Sequence, residues 1–228
     1  MIKGAPQKNN VFTQLCHSFK SKHIFHSFFI GFPMAKKTII VNGYAYPFIS
    51  DEALYQNLSD LTFLATFSYG LTSEGELVGL DDERLIQEAL LFNTGALMAL
   101  TAFTPEGNFD SDRASLLFNN PEVQDRYLLE VIDNLQSKNM RGVDFDFEFV
   151  YPEDRDAYVA FVSKAREILN GMGYVVTVAL VPKTSTDQPG LLYQGHDYFG
   201  MGQAANLVLI MTYEWGYTYG HQWYMSLQ

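Results

Sequence analysis

Three acidic residues alternate with three phenylalanines in residues 142–149 (GVDFDFEF). A β-strand sends successive side chains to opposite faces, so Asp144, Asp146 and Glu148 are expected to share one face. Buried acids are costly unless they are paired, hydrogen-bonded or protonated. Acids this close titrate as a coupled set that holds at least one proton, which general acid catalysis at neutral pH requires. The stretch predicts a catalytic row of acids, and the alternative is a buried structural acid network.

The overall charge and the cysteine content narrow the function classes. The 15 Lys and Arg against 26 Asp and Glu give a net charge of −11. This charge disfavours nucleic acid or an anionic membrane as partner and suits a neutral or cationic substrate such as a glycan. The single cysteine, Cys16, cannot form an internal disulfide. No apolar run approaches the ~20 residues of a membrane helix, and the nearest, residues 24–32, also resembles a weak signal-peptide core.

Elements that would position the acids follow one another in strand–helix alternation. Apolar residues at helical spacing, with acids or a cap at the start, predict helices over residues 81–92, from Asn120-Pro121, from Tyr151 to Gly171 and over 190–204. Apolar, β-branched and aromatic runs predict six strands, at residues 38–46, 61–69, 95–103, 142–149, 174–181 and 207–214.

Alternating strands and helices indicate an α/β fold with a parallel sheet, here of the (β/α)8 TIM-barrel type. Six strands are two fewer than a closed barrel needs, so we expect an incomplete barrel of about six βα units. Residues 35–228 are assigned to it. Residues 1–34 are an N-terminal extension of unclear role, and the alternative is that translation starts at Met34.

Two motifs in order resemble those of glycoside hydrolase family 18, the chitinase-like TIM barrels. Residues 142–148 resemble the family's fourth-strand DGxDxDxE signature, and residues 211–214 (MTYE) match its sixth-strand Met-x-Tyr-acid motif. The stretches NGYAYPFI, FSYG, PKTSTDQPG and MTYEWGYTYG look like the bacterial branch found in spore cortex-lytic enzymes. The resemblance covers roughly residues 42–220.

The resemblance implies a role for each matching residue. Glu148 would protonate the glycosidic oxygen while the sugar's own 2-acetamido carbonyl attacks the anomeric carbon, a substrate-assisted route. Asp146 would hold the acetamido N–H, and Asp144 would share a proton with it. Tyr213 would donate a hydrogen bond to the acetamido oxygen. The residues expected to line the sugar site are Met211, Glu214, Trp215 and Tyr44, with loop packing the alternative for Trp215.

The chain departs from the family pattern at several positions. Arg141 replaces the signature's first Asp, and Glu214 stands where chitinases commonly have Asp. The third-strand SxGG motif is absent, which favours a peptidoglycan-directed relative over an ordinary chitinase. Strands seven and eight are not recognisable. His196, outside these motifs, is expected at the surface or as a cap.

The predicted function is hydrolysis of β-1,4 linkages in N-acetylglucosamine-containing glycan, either spore cortex peptidoglycan or a chitin-like polymer, with retention of configuration. The alternatives are a non-catalytic glycan-binding relative and an inactive truncated gene product. The expected partner is the glycan, with no cofactor, metal, nucleic acid or membrane. A spore or cell-wall location is what the resemblance favours.

Overall fold

Six parallel strands form a curled sheet in the computed structural model, which describes residues 39–104 and 106–212. The sheet order is β1-β2-β4-β5-β6-β7, and a short β3 pairs antiparallel with β2. The strands are β1 (Asn42–Ala45), β2 (Phe63–Leu71), β3 (Leu77–Val78), β4 (Gly95–Leu100), β5 (Gly142–Phe145), β6 (Val175–Leu180) and β7 (Leu207–Ile210). The six predicted strands are therefore confirmed, each shorter than or shifted from its predicted range.

Helices connect successive parallel strands, as the alternation predicts. They are α1 (Asp51–Leu58), α2 (Glu83–Leu91), α3 (Ser111–Asn119), α4 (Pro121–Ser137), α5 (Arg155–Gly171), α6 (Leu191–Gln194) and α7 (Tyr198–Ala204), with a 3-10 turn at Pro152–Asp154 before α5. Within the described residues, no helix has both the length and the apolar character that a membrane crossing needs.

Helix caps explain where several of these helices begin. The Asn120 side chain accepts hydrogen bonds from the backbone N–H groups of Glu122 and Val123, and Pro121 occupies the first turn. This confirms the predicted start of α4. Helices α1 and α3 were not predicted, although Ser50 and Asp110 cap them through their side chains. The single helix predicted over residues 190–204 is wrong, because residues 195–197 separate α6 from α7.

An aromatic core lies between the sheet and the helices. Phe145 and Phe147 project outward from β5 and the residues after it, and both are fully buried. Phe118 on α3 stacks on Tyr158 of α5 with 4.6 Å between ring centroids, and both rings contact Phe147. The opposite, concave face of the sheet carries Ala65, Leu97 and Ala99, with Phe63 and Phe67 packed against them.

The acidic strand is shorter than predicted, and this corrects one expectation. Strand β5 ends at Phe145, so Asp146 and Glu148 lie beyond it. The acids nevertheless face away from the buried Phe145 and Phe147, as alternation requires. Phe149 has a positive φ of 54° and leaves the aromatic row. Its ring packs against Phe109 with 5.6 Å between centroids.

Candidate active site

The carboxyl ends of the strands surround a cavity of about 300 Å³. Reactive groups gather at this end of parallel βα folds. Four residues predicted for the site line the cavity: Tyr44, Asp146, Glu148 and Met211. Its other lining residues are Tyr46, Phe67, Val181, Pro182, Leu192 and Tyr193.

Not every predicted site residue lines this cavity. Asp144 is fully buried and contacts Tyr44, one of the lining residues. Met211 reaches the cavity directly after β7, where its backbone N–H donates to the carbonyl of Leu180 at 2.9 Å. Tyr213, Glu214 and Trp215 lie outside the described residues, so their predicted roles stay predictions.

Two hydroxyl groups hold Asp144. The Tyr44 hydroxyl donates to Asp144 Oδ2 at 2.7 Å, and the Thr177 hydroxyl donates to Oδ1. Thr177 stands directly opposite Asp144 on β6, whereas Ala99, its neighbour on β4, offers no hydroxyl. Burial raises the pKa of Asp144, and the two hydrogen bonds act in the opposite direction. Thr177 was not predicted as a site residue, and only the strand register reveals it.

Asp146 is in a different environment from Asp144. Its side chain is buried and lines the cavity, but its Oδ1 atom has no hydrogen-bond partner among the described residues. Burial raises the pKa of Asp146 to about 8, and the charges of Asp144 and Glu148 add to this effect. Asp146 therefore holds a proton at neutral pH. This agrees with the expectation that the acidic cluster retains at least one proton.

Glu148 is the third acid and occupies the cavity wall. It is partly buried, four residues after Asp144, and lines the same cavity as Asp146. A carboxyl group at a cavity wall beside a protonated acid has the position that a general acid needs. Within residues 39–104 and 106–212, no group of three His, Cys, Asp or Glu side chains has the arrangement of a metal site.

An aromatic rim borders the cavity and was largely missed by the sequence analysis. Tyr46 and Phe48 stack with 5.0 Å between their centroids, and Tyr46 meets Phe67 edge-on at 5.4 Å. Phe48 is 82% exposed and Tyr46 is 51% exposed. Exposed aromatic rings of this kind present apolar faces to a ligand. The signal was available, because Tyr44, Tyr46 and Phe48 follow one another at a spacing of two residues.

Together, the curled parallel sheet and the acids at its carboxyl edge define a TIM-barrel-type hydrolase site. A family model described as "Glycosyl hydrolases family 18" matches residues 106–223, more than half of the chain. The chain belongs to this family.

Individual relatives agree with this membership. A "Cortical fragment-lytic enzyme" of Bacillus subtilis (strain 168) is 34% identical over 198 residues, which are 82% of this chain and 45% of that protein. The solved structure of the Bacillus cereus spore cortex-lytic enzyme SleL has a TM-score of 0.73 at 31% identity and covers 78% of this chain and 42% of that one. A Chromobacterium violaceum chitinase, at 22% identity and a TM-score of 0.70, shows the fold alone. The chain thus spans less than half the length of the curated relative and of SleL.

Proposed function

We propose that this chain is a glycosidase that hydrolyses β-1,4 linkages in N-acetylglucosamine-containing glycan. The observation that carries the proposal is that Asp146 and Glu148 line one cavity at the carboxyl edge of the sheet. Two acids with separate environments allow one group to donate a proton while the other interacts with the sugar. The names of the Bacillus relatives favour spore cortex peptidoglycan over chitin as the substrate.

The proposed mechanism begins with a proton on Glu148. Glu148 gives this proton to the glycosidic oxygen as the bond from that oxygen to the anomeric carbon breaks. The carbonyl oxygen of the sugar's 2-acetamido group bonds to the anomeric carbon and forms an oxazolinium ion. Water then attacks the anomeric carbon as the bond from that carbon to the acetamido oxygen breaks, and the water passes a proton to the Glu148 carboxylate. Two displacements at one carbon leave its configuration retained.

Asp146 would act on the acetamido group during these steps. Its Oδ1 atom, without a partner among the described residues, is available to accept a hydrogen bond from the acetamido N–H. Movement of the Asp146 proton toward Asp144 would leave a carboxylate beside the positively charged oxazolinium ring. Tyr44 and Thr177 would hold Asp144 in place for this exchange. Tyr213 would donate to the acetamido oxygen, as the family resemblance implies.

The decisive experiment compares the purified chain with its Glu148→Gln variant on N-acetylglucosamine oligomers and on cortex peptidoglycan. We expect the variant to release reducing ends at least about 100-fold more slowly, because it lacks the proton donor. Glu153→Gln is the matched control, since it makes the same change at an exposed acid nearby. NMR of the first product should show the β-anomer. A folded wild-type chain that is as inert as Glu148→Gln would refute the proposal for this chain.

A further inference from the structure

A second cavity, of about 290 Å³, lies next to the acidic one along the chain. Val181 and Pro182 line the acidic cavity, and Lys183 is the first residue of the same segment to line the second. Consecutive Cα atoms are only about 3.8 Å apart, so one short segment forms part of both walls. Pro182 and Lys183 begin the PKTSTDQPG stretch, which has no assigned role in the proposed reaction.

His196 is the most unusual residue of this second cavity. The sequence favours a surface or capping role for it, and the structure contradicts this, because His196 is fully buried. Neither ring nitrogen has a hydrogen-bond partner among the described residues. Buried polar groups are normally paired, so two unpaired ring nitrogens in the wall of a cavity are a candidate contact for a ligand. Burial, with the charge of Lys183 second, lowers the pKa of His196 to about 4, so the ring is neutral at pH 7 and offers one N–H donor.

Arg155 supplies another buried donor to the same cavity. Its Nη2 atom pairs with Asp197 at 3.1 Å, while its Nε–H has no partner among the described residues. The charge of Arg155 is therefore balanced by Asp197, but its hydrogen-bonding capacity is not exhausted. The hydroxyl-bearing residues Thr184, Ser185 and Thr186 complete a wall rich in donors.

Lys183 adds a positive charge that is held in place. Its ammonium group donates to the His196 carbonyl at 2.6 Å, and its backbone N–H donates to the Tyr198 hydroxyl at 2.8 Å. Burial and then the charge of Arg155 lower the pKa of Lys183, while Asp197 and Asp187 act in the opposite direction with less effect. The site thus favours an anion that accepts hydrogen bonds from several directions.

We propose that the second cavity binds a carboxylate carried by the glycan, such as the free lactyl carboxylate of an N-acetylmuramic acid residue that bears no peptide. The inference rests on the proposed function, because the sugar chain would extend from the acidic cavity. A carboxylate presents two oxygens that accept from Arg155 Nε–H, the His196 ring and the Lys183 ammonium group. A neutral N-acetylglucosamine oligomer offers these donors only uncharged acceptors, which form weaker hydrogen bonds than a carboxylate does. The cavity would therefore select acidic glycan over chitin-like polymer.

The test observes His196 directly by NMR on histidine-labelled full chain, with His196→Gln to assign its signal. The probes are N-acetylmuramic acid and its methyl ester, which differ in one charge. We expect the acid to shift the His196 signal in a saturable manner and to bind roughly tenfold more tightly than the ester, the effect of one charge-assisted hydrogen bond. Equal binding of acid and ester, or an unmoved His196 signal, would overturn the inference.

Two variants extend the test without involving the acidic cavity. Lys183→Met should weaken binding of the acid by about tenfold and leave the ester unchanged. Lys164→Met, at a lysine on α5 that contacts Asp125 and Gln124, should change neither. Glycan hydrolysis is measured separately. Hydrolysis without a His196 shift would refute only the carboxylate site, and a shift without hydrolysis would refute only the proposed activity.

Discussion

Replacing Asp146 by asparagine tests whether this acid is kept at the expense of stability. The carboxyl group is buried and protonated at neutral pH in the folded chain. Asparagine has nearly the same shape and is also neutral, so the folded state changes little. The unfolded states differ, because an exposed aspartate ionises and an asparagine does not. Asp146→Asn should therefore raise the free energy of unfolding at pH 7, while it removes the carboxylate that the proposed mechanism places beside the oxazolinium ring.

The size of the gain follows from the pKa of Asp146. Folding raises it from an ordinary value of 3.8 to about 8, so unfolding releases a proton at any pH between these values. The contribution of Asp146 to wild-type stability then falls as pH rises across this interval, by about 1.4 kcal/mol for each pH unit. From about pH 3.8 to about pH 7 the loss amounts to about 4 kcal/mol. The Asp146→Asn variant would avoid this loss, and its advantage should vanish below pH 3.8 and stop growing above about pH 8.

Urea denaturation followed by circular dichroism, from about pH 5.5 to about pH 8.5, measures this difference. The gap between Asp146→Asn and wild type should widen with pH and then level off near pH 8. Asp133→Asn, at an exposed acid on α4, is the matched control and should not show this widening. A gap between Asp146→Asn and wild type that stays constant with pH would refute the reasoning. Hydrolysis assays on the same samples should show activity lost as stability is gained.

Substitutions at three further positions probe the supports of the site. Tyr44→Phe removes the 2.7 Å hydrogen bond to Asp144, so the free energy of unfolding should fall by about 1–2 kcal/mol in urea. Thr177→Val should lower the free energy of unfolding by a similar amount, and Thr177→Ser by much less, because serine keeps the hydroxyl. Equal stability of the two Thr177 variants would show that this hydroxyl does not hold Asp144. Gly142→Ala would place its Cβ 2.0 Å from a carbonyl oxygen of β6 and should cost about 3 kcal/mol or more, seen as a lower Tm. Gly171→Ala, with open space around it, is the control, and equal Tm values would contradict the close approach of β5 and β6.

Much of the fold was readable from local patterns because periodicity and caps act over short distances. The six parallel strands and the starts of α2 and α4 were predicted in order. The ends of elements were not, because they depend on tertiary contacts. Phe149 illustrates the point, since its spacing matches Phe145 and Phe147 but its positive φ and its contact with Phe109 remove it from the row. The missed helix α1 has only 8 residues, too few to show a clear helical period, and it relies on Ser50 as its cap.

The site residues that belong to a sequence motif could be predicted. Those that tertiary packing brings into the site could not. The motif gave Asp146, Glu148 and Met211, which do share one cavity. Thr177 becomes visible only when the register of β5 and β6 is known, because it is far from Asp144 in the chain. His196 was assigned wrongly because the sequence around it carries no sign of burial. The buried environment of His196 is formed by tertiary packing of the cavity wall, which the local sequence does not reveal.

The point at which β5 ends explains why two acids, two residues apart, differ so much. Asp144 lies within the strand, where Thr177 on the next strand can donate to it. The backbone N–H of Asp146 still pairs with the Leu100 carbonyl at 2.9 Å, so the sheet fixes its position. Its side chain, however, follows Phe145, the last residue of β5 that has a partner on β6. It therefore lines the cavity, where no described residue donates to its Oδ1 atom. A strand shorter than the motif suggests is thus what leaves Asp146 Oδ1 without a donor among the described residues, and burial, with the charges of Asp144 and Glu148, raises the pKa of this acid.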